Sequence, residues 1–247
     1  MGRKRSWLIG AVALLALAAC GRPARPPVDG PQGGGRPVVT RPLDLPAARG
    51  LIDARLGEGT VREAARAGDD LLQCMAELEA ARVTFVPQPD RVDSATCGLV
   101  QAGLLGPDMG TVARMAPAGP VMTCRLALAV SIWRRQSVEP AAREILGSDV
   151  VQIDHFGTYA CRSVSNRPGA RPSAHSRAGA LDFSGVRLRD GRRITVLADW
   201  RGDEPEARFL RRIRDDACRI FGTALSPDYD AAHQDHLHLE PGQAFCR

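Results

Sequence analysis

The stretch HQDHLHLE, residues 233–240, holds three of the chain's five histidines and one aspartate within six positions. Imidazole nitrogens and carboxylates bind transition metals and transfer protons, so this spacing could build a metal site with a proton-transfer group beside it. His236 and His238 are two residues apart, which places both side chains on one face of a strand. A His-rich surface strand is the alternative, and a metal site would need further ligands from elsewhere in the chain.

Residues 173–182, SAHSRAGALD, contain a second set of such side chains. They come close to the pattern S-x-H-x-x-G-x-A-x-D, except that the glycine and the alanine are adjacent here. His175 ends a loop rich in Gly, Pro and Ser, and Asp182 lies in the strand predicted to follow it. His175, Asp182 and His238 together would leave a fourth position open, which is the arrangement of a catalytic zinc site.

Hydrophobic periodicity predicts the elements that must position these residues. Helical spacing is found in residues 46–82, 119–137, 139–147 and 204–221. Alternating or short apolar runs predict strands at residues 149–157, 158–164, 180–188, 193–200 and 235–240. Helices that precede a small antiparallel sheet crossed by one long helix indicate an α+β fold with an N-terminal helical subregion.

The first twenty residues have the features of an export signal. Arg3, Lys4 and Arg5 precede the apolar residues 7–19, a run too short for a membrane span, which needs about 20 residues. The run ends in LAAC and resembles a bacterial lipobox, so residues 1–20 are predicted to be a lipoprotein signal peptide with Cys20 as the lipidated residue. A plain secretory signal is the alternative. Gly21, not Asp, follows Cys20, which favours a lipid anchor in the outer membrane facing the periplasm.

Residues 21–45 are rich in Pro, Gly and Arg, and this composition predicts a disordered tether. Residues 46–247 are then the folded domain. The net charge of the whole chain is +5, and it falls to +2 when residues 1–19 are removed. No basic stripe interleaved with aromatic residues is present, so we expect no nucleic-acid partner.

Six cysteines follow Cys20, an even number that suits an oxidising compartment. Three disulfides are expected, although the sequence does not choose among the possible pairings. A cysteine-ligated zinc site is the alternative, but no C-x-x-C pair supports it. The six candidates are Cys74, Cys97, Cys124, Cys161, Cys218 and Cys246.

The segments YACR, SAHSRAGALDF, LADW and LSPDYDAAHQDHLHL resemble the bacterial extensin-like C-terminal domain family over about residues 70–247. The pattern H-x6-D followed by H-x-H is also similar to zinc peptidases that cut peptidoglycan peptides. These include D-Ala-D-Ala carboxypeptidases, murein endopeptidases and phage endolysins. The resemblance implies a zinc DD-peptidase-like (hedgehog/DD-peptidase) core.

The resemblance also implies a role for each matching residue. One Zn²⁺ ion would be bound by His175, Asp182 and His238. Asp235 would be the general base, with His236 and His233 beside the reacting centre. Ser173 and Arg162 would hold a carboxylate or carbonyl of the substrate, although Ser173 could merely cap a turn. The loop from Arg162 to Ser173 is shorter than in the carboxypeptidases, a departure from the pattern that gives Arg162 its role. No Trp-His pair with Glu ahead of it is present, so an endopeptidase is favoured over a strict carboxypeptidase.

Two functions are compatible with this pattern. The first is a zinc-dependent metallopeptidase acting on peptidoglycan peptides or cross-links at the cell envelope. The second is a non-catalytic, zinc-containing lipoprotein that binds the cell wall. Asp235 favours the enzyme, since binding alone would not require an acid at that position.

We expect the substitution Cys20→Ser to release the protein from the membrane fraction, because the lipid that would anchor it could no longer be attached. Fractionation of cells expressing the wild type and the variant measures this directly. Unchanged membrane association of Cys20→Ser would contradict the lipoprotein interpretation.

Overall fold

The computed structural model describes residues 50–247. The predicted signal peptide with Cys20 and the tether at residues 21–45 lie outside the described residues. Within the described part, no helix is both long and apolar enough to cross a membrane.

Three of the helices begin after a residue whose side chain accepts a hydrogen bond from the first turn. Asp70 accepts one from the Gln73 amide (3.0 Å), and Thr123 accepts one from the Leu126 amide (3.2 Å). After Thr123 the chain stays helical as far as Leu146, with π-helical hydrogen bonding at Arg134–Val138 and Ala142–Leu146. The helices are α1 (Thr60–Asp69), α2 (Leu71–Ala80), α3 (Cys124–Trp133), α4 (Glu139–Ala141), α5 (Val196–Asp199) and α6 (Pro205–Cys218).

Twelve strands form three sheets within residues 50–247. They are β1 (Val83–Pro87), β2 (Arg91–Val92), β3 (Gly98–Leu99), β4 (Ala102–Asp108), β5 (Arg114–Ala116), β6 (Val121–Thr123), β7 (Val150–Gly157), β8 (Leu181–Leu188), β9 (Arg193–Thr195), β10 (Gly222–Leu225), β11 (Leu237–Pro241) and β12 (Phe245–Cys246). The largest sheet has the order β12-β10-β11-β8-β7-β5, with β9 also paired to β8. A second sheet has the order β1-β4-β6, and β2 pairs with β3.

The mixture of helices and sheets that the sequence predicts is present, but the main sheet has seven strands and is not antiparallel throughout, unlike the small antiparallel sheet that was predicted. The main sheet has parallel pairs at β5–β7 and β10–β12 beside its antiparallel pairs. Sequence periodicity does not show which strands will pair, so these two parallel edges could not be predicted from it.

Three local predictions also need correction. Residues 158–164 leave the sheet after Gly157, whose φ of 133° turns the chain out of β7, and the Ala160 amide then bonds the His175 carbonyl. The strand predicted at residues 193–200 ends at Thr195, whose hydroxyl caps α5. Residues 121–123 form a strand, not the start of a helix.

The hydrophobic core lies between α3 and the main sheet. Trp133 of α3 packs edge-on against Phe183 of β8, with ring centroids 5.2 Å apart, and both side chains are fully buried. The indole nitrogen of Trp133 donates to the Ile213 carbonyl of α6 at 2.8 Å, so its polar atom is satisfied. This packing fixes the position of β8.

All six candidate cysteines form disulfides, as the sequence predicts, and the pairs are Cys74–Cys124, Cys97–Cys161 and Cys218–Cys246. The first pair joins α2 to α3, and the third joins the end of α6 to β12. Since each sulfur is bonded, none of these six cysteines is a thiolate that could bind a metal ion in this structure.

We expect the double substitution Cys74→Ala/Cys124→Ala to lower the free energy of unfolding by about 2–4 kcal/mol. The disulfide closes a loop with a sequence separation of 50 residues, so its loss gives the unfolded chain more conformational freedom. Denaturant unfolding of both proteins measures the difference. An unchanged unfolding midpoint at the same slope would contradict this expectation.

Candidate functional site

Two of the candidate metal ligands face each other across neighbouring strands. In the antiparallel pair β8–β11, Asp182 lies directly opposite His238. Leu237 and Leu239 of β11 are fully buried in the core, so the alternation of the strand turns His238 to the other face. Directly opposite residues have adjacent side chains, which brings the carboxylate to the imidazole.

The third candidate ligand comes from a short turn ahead of β8. His175 lies in the 3-10 turn Ala174–Arg177, where the Ser173 hydroxyl accepts a hydrogen bond from the His175 amide at 3.4 Å. The Nδ1 atom of His175 bonds the Thr158 carbonyl at 3.1 Å. This bond fixes the ring so that Nε2 faces Asp182, which is how main-chain carbonyls orient metal-binding histidines.

His175, Asp182 and His238 form a cluster that could hold a metal ion, since one ligand atom from each lies within 4.8 Å of the others. Asp182 Oδ1 is 3.0 Å from both His175 Nε2 and His238 Nδ1, and the two nitrogens are 3.2 Å apart. Ligands of a tetrahedral zinc ion with bonds of about 2.0–2.1 Å are about 3.3–3.4 Å apart. The observed spacing is therefore within a few tenths of an ångström of the tetrahedral spacing.

Glu240 supports the cluster from behind, because its Oε2 lies 3.3 Å from His238 Nε2. Burial disfavours the charged form of His238, but hydrogen bonds to Asp182 and Glu240 outweigh it and raise the pKa of His238 to about 9. Burial also opposes ionisation of Asp182, yet hydrogen bonds from His175 and His238 hold the pKa of this carboxyl far below its usual range. The charges therefore favour a cation at this position, and a metal ion would compete with the proton on His238.

His236 is on the same face of the chain as His238, with Asp235 beside it. His236 Nδ1 lies 2.8 Å from Asp235 Oδ1, and His236 Nε2 lies 3.5 Å from Asp182 Oδ1. Asp235 precedes β11, in the turn where strand alternation does not apply. The Asp235 side chain is 40% exposed, whereas that of His236 is 13% exposed, so the imidazole is the inner member of the pair.

His233 completes a group of three imidazoles, with its ring centroid 5.2 Å from that of His236 and 6.0 Å from that of His238. Its Nδ1 bonds Asp230 Oδ1 at 2.6 Å. Burial is the main influence on His233 and lowers its pKa despite this carboxylate.

These histidines lie at one end of an open cleft of about 880 Å³, which Arg162 and Ser173 also line. Arg162 lies 3.9 Å from Asp182 Oδ2, and one third of its side chain is exposed. Ser173 both caps the turn and borders the cleft, so the two roles considered for it are compatible.

The structure thus brings together all eight residues that the sequence singled out for the site. Two supporting groups were not foreseen. Glu240 lies two positions after His238, on the same strand face, and this spacing could have revealed it. The Thr158 carbonyl is a main-chain group, so no residue type in the sequence indicates its role. The fifth histidine, His155, lies outside the cluster and bonds the Pro117 carbonyl at 2.9 Å.

A family model, the extensin-like protein C-terminus, matches residues 72–247. The chain belongs to this family. The extensin-like domain includes the whole cluster, the cleft and all three disulfides. No curated protein and no solved structure matches the chain.

We expect Glu240→Gln to weaken zinc binding by the extensin-like domain about 10- to 100-fold, because the neutral amide no longer stabilises the imidazole of His238. Competition with a chromophoric chelator gives the dissociation constant, and circular dichroism checks the fold. Glu79→Gln, on the exposed surface of α2, is the matched control. Equal affinity of Glu240→Gln and the wild type would contradict the supporting role of Glu240.

Proposed function

We propose that the protein is a zinc-dependent peptidase that cleaves peptidoglycan peptides or cross-links at the cell envelope. The observation that carries the proposal is the convergence of His175, Asp182 and His238, the last of which lines an open cleft, with two further imidazoles beside them. A site that only stabilises the fold is usually closed by four protein ligands. Here the cluster has three candidate ligands and borders a cleft through His238, which suits a site that admits substrate.

The finer fold assignment is also part of this proposal. The β8–β11 pair places Asp182 and His238 on adjacent strands, and His175 reaches the same point from the turn ahead of β8. This arrangement supports our assignment of a zinc DD-peptidase-like core.

A zinc ion held by His175, Asp182 and His238 would supply a Lewis acid and activate water for attack on a peptide carbonyl. Side chains of the protein would carry out the proton transfer. The Nε2 atom of His236 faces the cluster and would take the proton of the attacking water. When the carbon–nitrogen bond breaks, the same imidazole would return the proton to the leaving amine.

We propose a different role for Asp235 from the general base that the resemblance implies. Its carboxylate bonds His236 Nδ1, so we assign it the task of orienting His236 and stabilising the imidazolium that forms. His233, held by Asp230 through Nδ1, would donate a hydrogen bond from Nε2 to the developing oxyanion in its imidazolium form. Arg162 and Ser173 border the cleft and would hold the carboxylate or carbonyl of the substrate.

The second candidate is a non-catalytic zinc-containing lipoprotein that binds the cell wall. The contact between Asp235 and His236 favours the enzyme, because neither residue is needed to complete the three-ligand cluster. For either function we propose a periplasmic location with a lipid anchor at Cys20, which lies outside the described residues.

Digestion of purified sacculi by the purified protein tests the proposed function. Released muropeptides should have lost a peptide bond. Chelator should stop the release, and added zinc should restore it. A zinc-loaded protein that binds sacculi and changes no muropeptide would contradict the peptidase and support the binding lipoprotein.

Alanine variants of the histidine stretch should separate metal binding from catalysis. We expect His238→Ala to lose both zinc and activity, since one of three protein ligands is removed. Asp235→Ala and His236→Ala should keep zinc near one equivalent, while turnover falls by about 10²–10⁴-fold. Metal analysis and muropeptide release measure the two effects. Equal loss of zinc from all three variants would show that the roles are misassigned.

A further inference from the structure

The loop from Arg162 to Ser173, called here the arginine loop, forms one side of the cleft. Its ends are joined, since the Ser173 amide bonds the Arg162 carbonyl at 3.1 Å and the Val164 amide bonds the Arg171 carbonyl at 3.0 Å. The Ser163 hydroxyl also donates to the Arg167 carbonyl at 2.7 Å. The disulfide of Cys161 fastens the start of the loop. The loop therefore has a defined shape.

Two guanidinium groups of this loop border the cleft without a partner of their own. Arg167 and Arg171 are exposed, and among residues 50–247 neither guanidinium has a hydrogen bond or ion pair. Some surface arginines are paired, for example Arg189 with Asp149 and Arg193 with Asp154. Arg62 and Arg66 are also unpaired among the described residues, but they lie outside the cleft. The cleft wall thus presents two uncompensated positive charges.

The acidic side chains that line the cleft form hydrogen bonds with histidines. Asp230 bonds His233 and Glu240 bonds His238, so neither forms an ion pair with the arginine loop. Arg171 lines the same cleft as His238 and Glu240. Tyr229 and Phe245 also line it, pack edge to face with ring centroids 5.6 Å apart and carry no charge.

We propose that Arg167 and Arg171 form an anion subsite that binds a substrate carboxylate lying outside the cleaved bond. Guanidinium groups bind carboxylates through paired, charge-assisted hydrogen bonds. The substrate class is therefore a peptide with a free carboxylate besides the group held by Arg162. This inference rests on the proposed function for the identity of the peptide, and the anion binding itself depends only on the arginine loop.

Two stem pentapeptides are suitable probes, L-Ala-γ-D-Glu-L-Lys-D-Ala-D-Ala and its analogue with an amide in place of the D-Glu α-carboxylate. Calorimetry on the zinc-loaded His236→Ala protein measures binding without rapid turnover. We expect the acid to bind about 3- to 10-fold more tightly than the amide, a preference that should shrink as salt is added.

Adding Arg167→Gln and Arg171→Gln to this protein should abolish the preference. Adding Arg62→Gln and Arg66→Gln is the matched control, because these exposed arginines of α1 have the same spacing and lie outside the cleft. Equal affinity for the acid and the amide before the arginine changes, or an unchanged preference after them, would overturn the subsite.

The unsubstituted protein separates this inference from the proposed function. Preferential binding of the acid by a zinc-loaded protein that cleaves neither peptide and releases no muropeptide from sacculi would support the subsite and contradict the peptidase. Cleavage of both peptides at the same kcat/KM would support the peptidase and overturn the subsite.

Discussion

The register between β8 and β11 is the constraint on which the rest of the site depends. It places Asp182 directly opposite His238, while Leu237 and Leu239 fill the core on the other face of β11. A slip of one residue would turn the histidine into the core and the leucines into the cleft. The hydrophobic core therefore selects the register, and the register assembles two of the three candidate ligands. The packing of Trp133 against Phe183 holds β8 in position on the core side of the sheet.

The third ligand depends on a different kind of constraint. His175 lies on a connection that leaves β7 at Gly157 and returns at β8, and this connection has little apolar surface of its own to bury. Instead it is held by the Cys97–Cys161 disulfide, by the closed neck of the arginine loop and by the bond from His175 to the Thr158 carbonyl. The sheet positions two candidate ligands, and this tethered connection positions the third.

Much of the site could be predicted from the sequence because most of its residues fall in two short stretches of the chain, 173–182 and 233–240. The H-x-H spacing gives the shared strand face, and the motif around His175 and Asp182 gives the remaining ligands. Glu240 follows from the same two-residue period. Arg167 and Arg171 could not be singled out, since an arginine-rich chain offers many candidates and only the loop's shape brings these two to the cleft. The cysteine pairing likewise depends on which elements pack together.

Less of the fold than of the site could be predicted from the sequence, because pairing between distant segments decides which residues form strands. The apolar residues 121–123 continue smoothly into α3, so their pairing with β4 depends on a partner far along the chain. The segment at residues 158–164 has a strand-like composition, but Gly157 and the disulfide at Cys161 direct it away from the sheet. Long-range pairing of this kind overrides local propensity.

X-ray absorption spectroscopy at the zinc edge is the most direct test of the proposed metal centre. We expect the protein to bind one zinc ion with two imidazole ligands, oxygen in the remaining positions and no sulfur. Asp182→Asn should change the oxygen shell and weaken zinc binding. A spectrum that requires sulfur ligands, or the same spectrum from a protein lacking both His175 and His238, would contradict the proposed metal centre.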